Sequence, residues 1–351
     1  MSSLRFLKYL TVYTLPASVY IAFNTQWVFF PLVLYFVFVP GLELLFKPQH
    51  NNLSEEEKEA ALHSKVYDVL LYIMLPIQFG FLWYFLTIVS SQALTWVQWA
   101  GLTSAMGLMS GVIGINVGHE LGHRKERFDR FVGELLLLSS LNTHFLPYHN
   151  LGHHKNVATP SDPATARRGE WLFVFWFRSN FSSYIEAWHI ESERLTKRGL
   201  NPFSVKNRMI VYSIAQFGLL ALVYFFFGLT GVLAFLGASI FGILLLETVN
   251  YIEHYGLLRL KNDKGHYERV KPWHSWNSDH MIGRVILFEL SRHSDHHYLA
   301  SKKYQILDSF EDSPQMPTGY PGMLILSLIP PIWFRVMNPK VDKIRAEHSG
   351  D

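Results

Sequence analysis

The 351-residue chain contains no cysteine and has few charged residues. Without cysteine it cannot build a disulfide, an iron–sulfur centre or a thiolate metal site from its own residues, so any metal must be held by histidine or carboxylate. Only 17% of the residues are charged and the net charge is +3, which does not suggest a nucleic-acid binder. Thiol chemistry is excluded, and nucleic-acid recognition is disfavoured.

Long apolar blocks fill the sequence where charge is missing. Three blocks without Lys or Arg cover residues 9–46, 66–118 and 209–250, and each is long enough for two spans of roughly 20 residues. Polar or glycine-rich breaks divide each block in two. We therefore predict an all-α integral membrane protein, a single domain over residues 1–351, with six transmembrane helices arranged as three hairpins. The predicted spans are 9–23, 27–46, 66–89, 95–118, 209–228 and 231–250.

The positions of the basic residues predict the orientation. With three hairpins, every Lys and Arg lies on the same side as both termini, and the positive-inside rule assigns that side to the cytoplasm. Residues 119–208 and 251–318 then form a cytosolic cap rich in histidine. The start of the chain lacks the short apolar region and A-x-A site of a signal peptide, so the first block is interpreted as structure.

Two further segments have local signals. Ser54-x-x-Glu57 is a capping-box pattern, which predicts a short surface helix within 51–65, although an ordinary loop is an equal alternative. The stretch 319–337 is apolar but contains three prolines. We interpret it as an interfacial or partly inserted tail rather than a seventh span.

"GHELGHRK", residues 118–125, contains the H-E-x-x-H pattern of zinc metalloproteases. The other histidines argue against that function. Of 17 histidines, eight occupy three short windows, at 119–123, 149–154 and 293–297. A catalytic zinc uses three protein ligands, which would leave at least five of the eight unexplained, so a zinc protease remains only a remote alternative.

The spacing within the windows suits metal binding. Residues i and i+3 or i+4 share one face of a helix, so His119 and His123 are predicted to lie together, as are His149 and His153. His254 follows the sixth predicted span, as His119 follows the fourth, and is counted as a ninth ligand. Nine imidazoles fit two metals with four or five ligands each. Imidazole binds Zn, Cu, Fe and Ni, so the residues alone do not identify the metal.

Four carboxylates are candidates for orienting these imidazoles by accepting their second N–H group. Asp295 lies inside the third window. The intramembrane Glu247 lies seven residues before His254, which is two helical turns, and so is expected to share a helix face with it. The four candidates are Glu247, Asp295, Asp162 and Asp279.

Four segments together resemble those of a known family: "HELGHR", "HNLGHH", "NYIEHYGL" and "LSRHSDHHYLASKKYQIL". They are similar to the integral-membrane alkane 1-monooxygenases, within the superfamily of histidine-box fatty acid desaturases and hydroxylases. The resemblance extends from the first hairpin to the tail. The HxxxH and HxxHH boxes are common to the superfamily, whereas "NYIEHYG" and "RHSDHH" followed by "YQIL" favour the alkane branch.

The resemblance implies a non-haem di-iron enzyme of the bacterial inner membrane. The reaction would be oxidation by O2 of the terminal methyl of medium-chain n-alkanes, drawn from the bilayer, to 1-alkanols. No catalytic residue beyond the metal ligands is implied. The implied iron ligands are His119, His123, His149, His153, His154, His254, His293, His296 and His297.

The resemblance also implies a rubredoxin as electron donor, either as a separate protein or as a fused domain. Rubredoxin needs four cysteines, which this chain lacks. Its generally acidic surface suggests a basic docking patch, although these cations are equally well explained by the positive-inside rule. The docking candidates are Arg124, Lys125, Arg127, Arg130, Lys155, Arg167 and Arg168.

Two alternatives stay open. A membrane fatty-acyl or lipid desaturase or hydroxylase would use the same histidines. A metal-binding or transport protein would need polar residues along a path through the spans, and the predicted spans contain few.

Overall fold

The computed structural model describes residues 2–348, which are helical throughout their regular structure. The only strand-like features in this range are two isolated bridges, Lys261 with Tyr267 and Asn277 with Gln315. The helices are α1 (Leu4–Asn24), α2 (Phe30–Glu43), α3 (Glu55–His63), α4 (Val66–Ser91), α5 (Trp96–Gly122), α6 (Arg127–Leu138), α7 (145–156), α8 (Leu172–Thr196), α9 (Arg208–His254), α10 (Met281–Ile286), α11 (His293–Tyr298), α12 (Tyr320–Ser327) and α13 (Pro330–Glu347).

Four helices, α1, α4, α5 and α9, are long and apolar enough to cross a membrane. α2 is apolar but shorter than the predicted span 27–46. It ends at Glu43, whose carboxylate accepts a hydrogen bond from the backbone N–H of Gly283 at 2.7 Å. An all-helical architecture with several apolar helices is therefore confirmed, while the arrangement in six spans stays a prediction.

The longest helix, α9, has 47 residues and is interrupted at Gly228. Gly228 has φ 64° and ψ −167°, a conformation that is essentially restricted to glycine because a side chain would clash with the backbone. The interruption lies at the predicted boundary between spans 209–228 and 231–250. α9 therefore consists of two helical segments joined at this glycine.

α5 is the central helix of the bundle, since 89% of its 18-residue apolar stretch is buried, compared with 22% of the corresponding stretch of α9. Glycines spaced along α5 allow close approach of neighbouring backbones. A Cβ atom added to Gly111 would lie 2.8 Å from Leu245 of α9, and one added to Gly118 would lie 3.1 Å from the carbonyl oxygen of Gly133 in α6. This packing holds the end of α5, and the histidines there, in a fixed position.

The polar segments fold over one end of the bundle. Ser54 caps α3 through the capping box with Glu57, which confirms the predicted short helix. The proline-containing tail forms α12 and α13, and its Trp333 packs against Tyr251 and Tyr255 at the end of α9. Within residues 2–348 the tail is thus packed against the histidine-bearing end of α9.

Candidate metal centre

Nine histidines at the ends of α5 and α9 and in α7 and α11 meet at one end of the bundle, and they are the nine singled out from the sequence. They form two adjacent groups, in each of which one nitrogen per residue lies within 4.8 Å of all the others. The five-histidine group consists of His119, His123, His149, His154 and His296. The four-histidine group consists of His153, His254, His293 and His297.

The last turn of α5 brings two members of the five-histidine group together. His119 and His123 are four residues apart, and their Nε2 atoms are 3.0 Å apart. His119 also lies 2.8 Å from His149, measured between Nε2 atoms. Because α5 is packed on both sides through glycine, this pair projects from a rigid helix end.

α7 assigns its histidines differently from the sequence prediction. The backbone N–H of His154 donates to the carbonyl of His149, a hydrogen bond from residue i+5 to i that defines a π-helical turn. This wider turn places His154, not His153, beside His149, with 3.0 Å between their Nε2 atoms. His153 instead faces His297, at 3.2 Å. The rings of His149 and His153 do lie close together, with centroids 5.1 Å apart, but they belong to different groups, a division that regular α-helical spacing does not predict.

α11 and the end of α9 complete both groups. His293 and His297, one turn apart on α11, join His254, and the Nε2 atoms of His254 and His293 are 3.1 Å apart. His296 points into the other group, 3.1 Å from His119 between Nε2 atoms. One short helix therefore contributes histidines to both groups.

The geometry of both groups fits metal ions. Donor atoms that share one cation at roughly 2.0–2.1 Å lie roughly 3.0–3.4 Å from one another, close to the observed 2.8 to 3.2 Å. Neutral imidazoles whose Nε2 lone pairs face each other repel unless a cation lies between them. Burial and the neighbouring imidazoles lower the pKa of His149, His154 and His297 well below the usual histidine value, and that of His296 to about 3. A lowered pKa favours the neutral form of these four rings, which is the form that binds metal.

Asp162 is the one carboxylate of the four sequence candidates that hydrogen-bonds to a grouped imidazole within residues 2–348. Its Oδ2 lies 2.9 Å from His153 Nδ1 and accepts a hydrogen bond from the Thr165 hydroxyl at 2.6 Å, and its Oδ1 accepts one from the Tyr148 hydroxyl at 2.7 Å. Burial opposes ionisation of Asp162, but His153 and these hydrogen bonds lower its pKa to about 2. Ionised Asp162 fixes the ring of His153 with Nε2 turned towards the four-histidine group.

Replacing Asp162 by asparagine is expected to weaken metal binding about 10- to 100-fold, the usual cost of losing a carboxylate that orients a ligand histidine. The amide keeps the size of the side chain but removes the charge. Competition with a chelator, measured as metal retained per chain, tests this. Asp263→Asn, at an exposed position, is the control, and equal retention in both variants would contradict the assigned role.

The other three carboxylates contact different groups. Asp295 accepts from Lys302 Nζ and from the backbone N–H of Asp308, both at 2.6 Å, because it lies two residues from His293 and so on another face of α11. Asp279 contacts His50 and the buried Arg292. Glu247 is buried in α9, and none of the hydrogen bonds found within residues 2–348 joins it to an imidazole.

The sequence prediction missed Glu253, which precedes His254. Its Oε2 lies 3.2 Å from His293 Nε2, and its Oε1 accepts a hydrogen bond from the hydroxyl of Tyr320 at 2.7 Å. The available signal was its place in "NYIEHYG", beside a predicted ligand. Tyr320 belongs to α12, so the tail contributes to this site.

An apolar cavity reaches the histidines from within the helix bundle. His119, His149 and His293 lie at its metal end, and side chains of α2, α5, α9 and α12 form its walls. A second apolar groove lies between α2, α9 and α12. Phe36, Leu245 and Leu324 line both spaces, and they form the boundary between them.

The predicted docking cations do not all remain available. Arg124 is buried and pairs with Glu120 at 2.7 Å and with Asp68 of α4 at 3.3 Å, so its assignment to a docking surface is corrected. Arg168 pairs with Asp342 through two hydrogen bonds of 2.7 Å. Besides Arg168, the exposed members of the set are Lys125, Arg127, Arg130, Lys155 and Arg167.

Comparison with known proteins decides between the families that use such histidines. Residues 94–326 match the fatty acid desaturase family. The chain is 40% identical over 329 residues to an alkane 1-monooxygenase of Ectopseudomonas oleovorans, covering 92% of this chain and 81% of the relative. The chain belongs to the alkane 1-monooxygenase family. It is also 39% identical over 327 residues to alkane 1-monooxygenase 2 of Alcanivorax borkumensis, covering 90% of this chain and 83% of the relative.

A more distant relative is the hydroxylase component of a xylene/toluene monooxygenase of Pseudomonas putida. It is 30% identical over 246 residues, which cover 70% of this chain and 65% of the relative. These matches confirm the family predicted from the four motifs, and with it the class of monooxygenase. The zinc protease alternative has no support from them.

Proposed function

We propose that this protein is a membrane-bound, non-haem di-iron monooxygenase that converts medium-chain n-alkanes to 1-alkanols. One atom of O2 is inserted into a C–H bond of the terminal methyl. The other is reduced to water by two electrons and two protons supplied from outside the chain. The main support is the pair of histidine groups, each of which contributes to the lining of an apolar cavity. The names of the relatives, alkane 1-monooxygenases, support the same substrate class.

The nine histidines would hold the two irons, five in one group and four in the other. Iron supplies the redox chemistry that activates O2, which redox-inactive zinc cannot supply. The protein's own residues bind and orient the alkane. Apolar walls favour an alkane over water, and the cavity directs one end of the chain towards His119, His149 and His293. No side chain is assigned a role as acid or base.

Entry from the bilayer is supported by the second groove. The groove is lined by Leu32, Val33 and Val37 of α2, by Ile325 of α12 and by Leu328, which follows α12. Of these residues, Val33, Val37 and Leu328 are exposed. In a membrane these exposed apolar side chains would contact lipid. An alkane dissolved in the bilayer would thus move through the groove to the cavity without crossing water.

The location proposed is the bacterial inner membrane, with six spans and with both termini and the histidine cap on the cytoplasmic side. Four long apolar helices support membrane insertion. The interruption at Gly228 and the distribution of Lys and Arg support the count and the orientation. Cysteine substitution with an impermeant thiol reagent tests the topology conveniently, since the natural chain has no cysteine.

The function is tested by metal analysis and product analysis of the detergent-purified protein. About two irons per chain are expected, together with 1-octanol from octane that carries one labelled oxygen from ¹⁸O2. One zinc per chain would contradict the proposal. The match to the fatty acid desaturase family gives the second candidate, oxidation of a fatty-acyl chain, and unreacted octane with a modified acyl product would favour it.

The electron donor is proposed to be a rubredoxin, a small acidic iron protein, docking on the exposed cations around the cap. His123 supports an approach from this side, because it lines a cleft shared with Lys125 and Lys303. The cleft also contains acidic side chains, among them Glu55, Glu56 and Glu59. Electrons would then enter close to the five-histidine group.

Reversing the charge of Lys125 by Lys125→Glu is expected to lower kcat/KM for rubredoxin by about threefold or more at low salt, because exposed charges mainly affect the rate of encounter. The effect should disappear at high ionic strength. Rubredoxin-driven octanol formation measured over a range of salt concentrations tests this. Lys343→Glu, exposed on α13, is the control. A rate independent of ionic strength would contradict docking on these cations.

A further inference from the structure

α8, which lies in the segment predicted to form the cytosolic cap, has an apolar row of side chains on its outer side. Residues three or four positions apart lie on the same side of a helix. The apolar row has this spacing, and each member is 54 to 68% exposed: Trp171, Val174, Phe177, Phe181 and Ile185. Contiguous exposed apolar surface of this kind usually marks contact with a membrane or with another protein.

The same side of α8 becomes polar further along the helix. Continuing the row in steps of four from Ile185 leads to His189 and Glu193, which are both exposed. Residues 171–185 contain a single charged residue, Arg178, and its guanidinium pairs with Glu170 at 2.6 Å. The first part of the outer side therefore suits surroundings without water, whereas the last part suits water.

The contacts of α8 place it across one end of the helix bundle. Near its start, Trp176 Nε1 donates a hydrogen bond to Thr248 Oγ1, in the last turns of α9, at 3.0 Å. Near its end, Glu191 pairs with Arg208, the first residue of α9, at 2.7 Å. In the proposed topology α9 crosses the membrane twice, with the interruption at Gly228 between the spans, so both of its ends lie at the same membrane surface. α8, which connects these ends, then runs along that surface.

The apolar row adjoins the surface through which the alkane is proposed to enter. Trp176 lines the outer groove together with Val33 and Val37 of α2, which are exposed and would contact lipid. Phe203 and Val205, in the loop that follows α8, are 85% and 76% exposed and add apolar surface. A protein covering the row would also crowd the mouth of the groove, whereas lipid can cover the row and fill the groove at once.

We propose that α8 is an interfacial helix whose apolar row is immersed in the lipid of the cytoplasmic leaflet. Helices of this type lie in the membrane plane with their apolar side among the acyl chains. The inference rests on the proposed membrane location and six-span topology, but not on the metal chemistry. It moves α8 out of the aqueous cap and makes it a lipid-embedded wall of the groove, so that an alkane reaches Trp176 from the acyl chains.

The test uses spin labels on single cysteines, since the natural chain contains no cysteine. Phe177→Cys and Phe181→Cys are labelled with a nitroxide and reconstituted in nanodiscs of phosphatidylethanolamine and phosphatidylglycerol. O2 concentrates in lipid and a nickel chelate stays in water, so the collision rates with the two report the surroundings of each label. Both labels should collide often with O2 and rarely with nickel, at a depth of roughly 5–10 Å into the boundary between headgroups and acyl chains.

Two reference positions calibrate the measurement. Glu193→Cys, on the polar part of the same side of α8 and 70% exposed at its side chain, should collide mainly with nickel. Phe217→Cys, 72% exposed in the first segment of α9, should behave as a label in lipid.

The outcomes separate this inference from the proposed topology. If the Phe177 and Phe181 labels resemble the Glu193 label while the Phe217 label is in lipid, α8 lies in water and the inference is wrong, although the membrane location stands. If neither O2 nor nickel reaches the two labels, protein covers the row, as in an assembly of two copies, and lipid is not its partner. If nickel reaches the Phe217 label, the proposed spans and the inference fail together.

Discussion

Replacing His153 by alanine is expected to lower alkane hydroxylation at least about 100-fold and to remove one metal per chain. Loss of an orienting partner alone costs about 10- to 100-fold, and loss of a ligand should cost more. His153 supplies one of only four imidazoles in its group. The variant also removes one hydrogen-bond partner of the buried Asp162 carboxylate, which adds a destabilisation of about 1.5–3 kcal/mol.

Metal analysis, octanol formation and thermal unfolding in detergent measure these effects separately. His63→Ala is the matched control, because His63 is a histidine at the end of α3 whose side chain is 82% exposed. It should retain wild-type metal content, activity and stability. Retention of both metals and full turnover in His153→Ala would show that the four-histidine group does not bind metal as proposed.

The sequence predicted which histidines come together but not how they divide. The helical spacing of the histidines and their clustering in short sequence windows were sufficient to select nine residues, because metal sites need several ligands close together in space. The division into groups of five and four depends on the π-helical turn between His149 and His154. That turn is a departure from regular helical spacing, and spacing arguments start from regular helices. The division of the α7 histidines was therefore not predicted, because the backbone there is π-helical.

Tertiary contacts account for the other differences. Arg124 looked available as a surface cation, yet its guanidinium lies between Glu120 and Asp68. The pair with Glu120, four residues away, could have been anticipated from helical spacing, whereas the contact with α4 could not. Likewise the carboxylate of Glu253 accepts a hydrogen bond from Tyr320, 67 residues later in the chain. Contacts of this kind link segments that no local pattern connects.

Phe36 is expected to limit the length of alkane that the enzyme accepts. Its ring lines both the inner cavity and the outer groove, whereas the histidines line the inner cavity alone. An alkane with its terminal methyl near the histidines would extend its other end towards Phe36. Truncation by Phe36→Ala joins the two spaces, so that longer chains can be buried without disturbing the metal end.

Each additional buried methylene contributes about 0.8 kcal/mol, so the ratio of kcat/KM for dodecane to that for octane should rise at least about tenfold in Phe36→Ala. Competition between alkanes of different length, with gas chromatography of the 1-alkanols, measures this ratio directly. Phe38→Ala provides the control, because Phe38 is also on α2 but 58% exposed and lines neither space. The reasoning fails if both variants give the wild-type product distribution. It holds if only Phe36→Ala shifts the distribution while octane oxidation persists, because the methyl then still reaches the same metal end of the cavity.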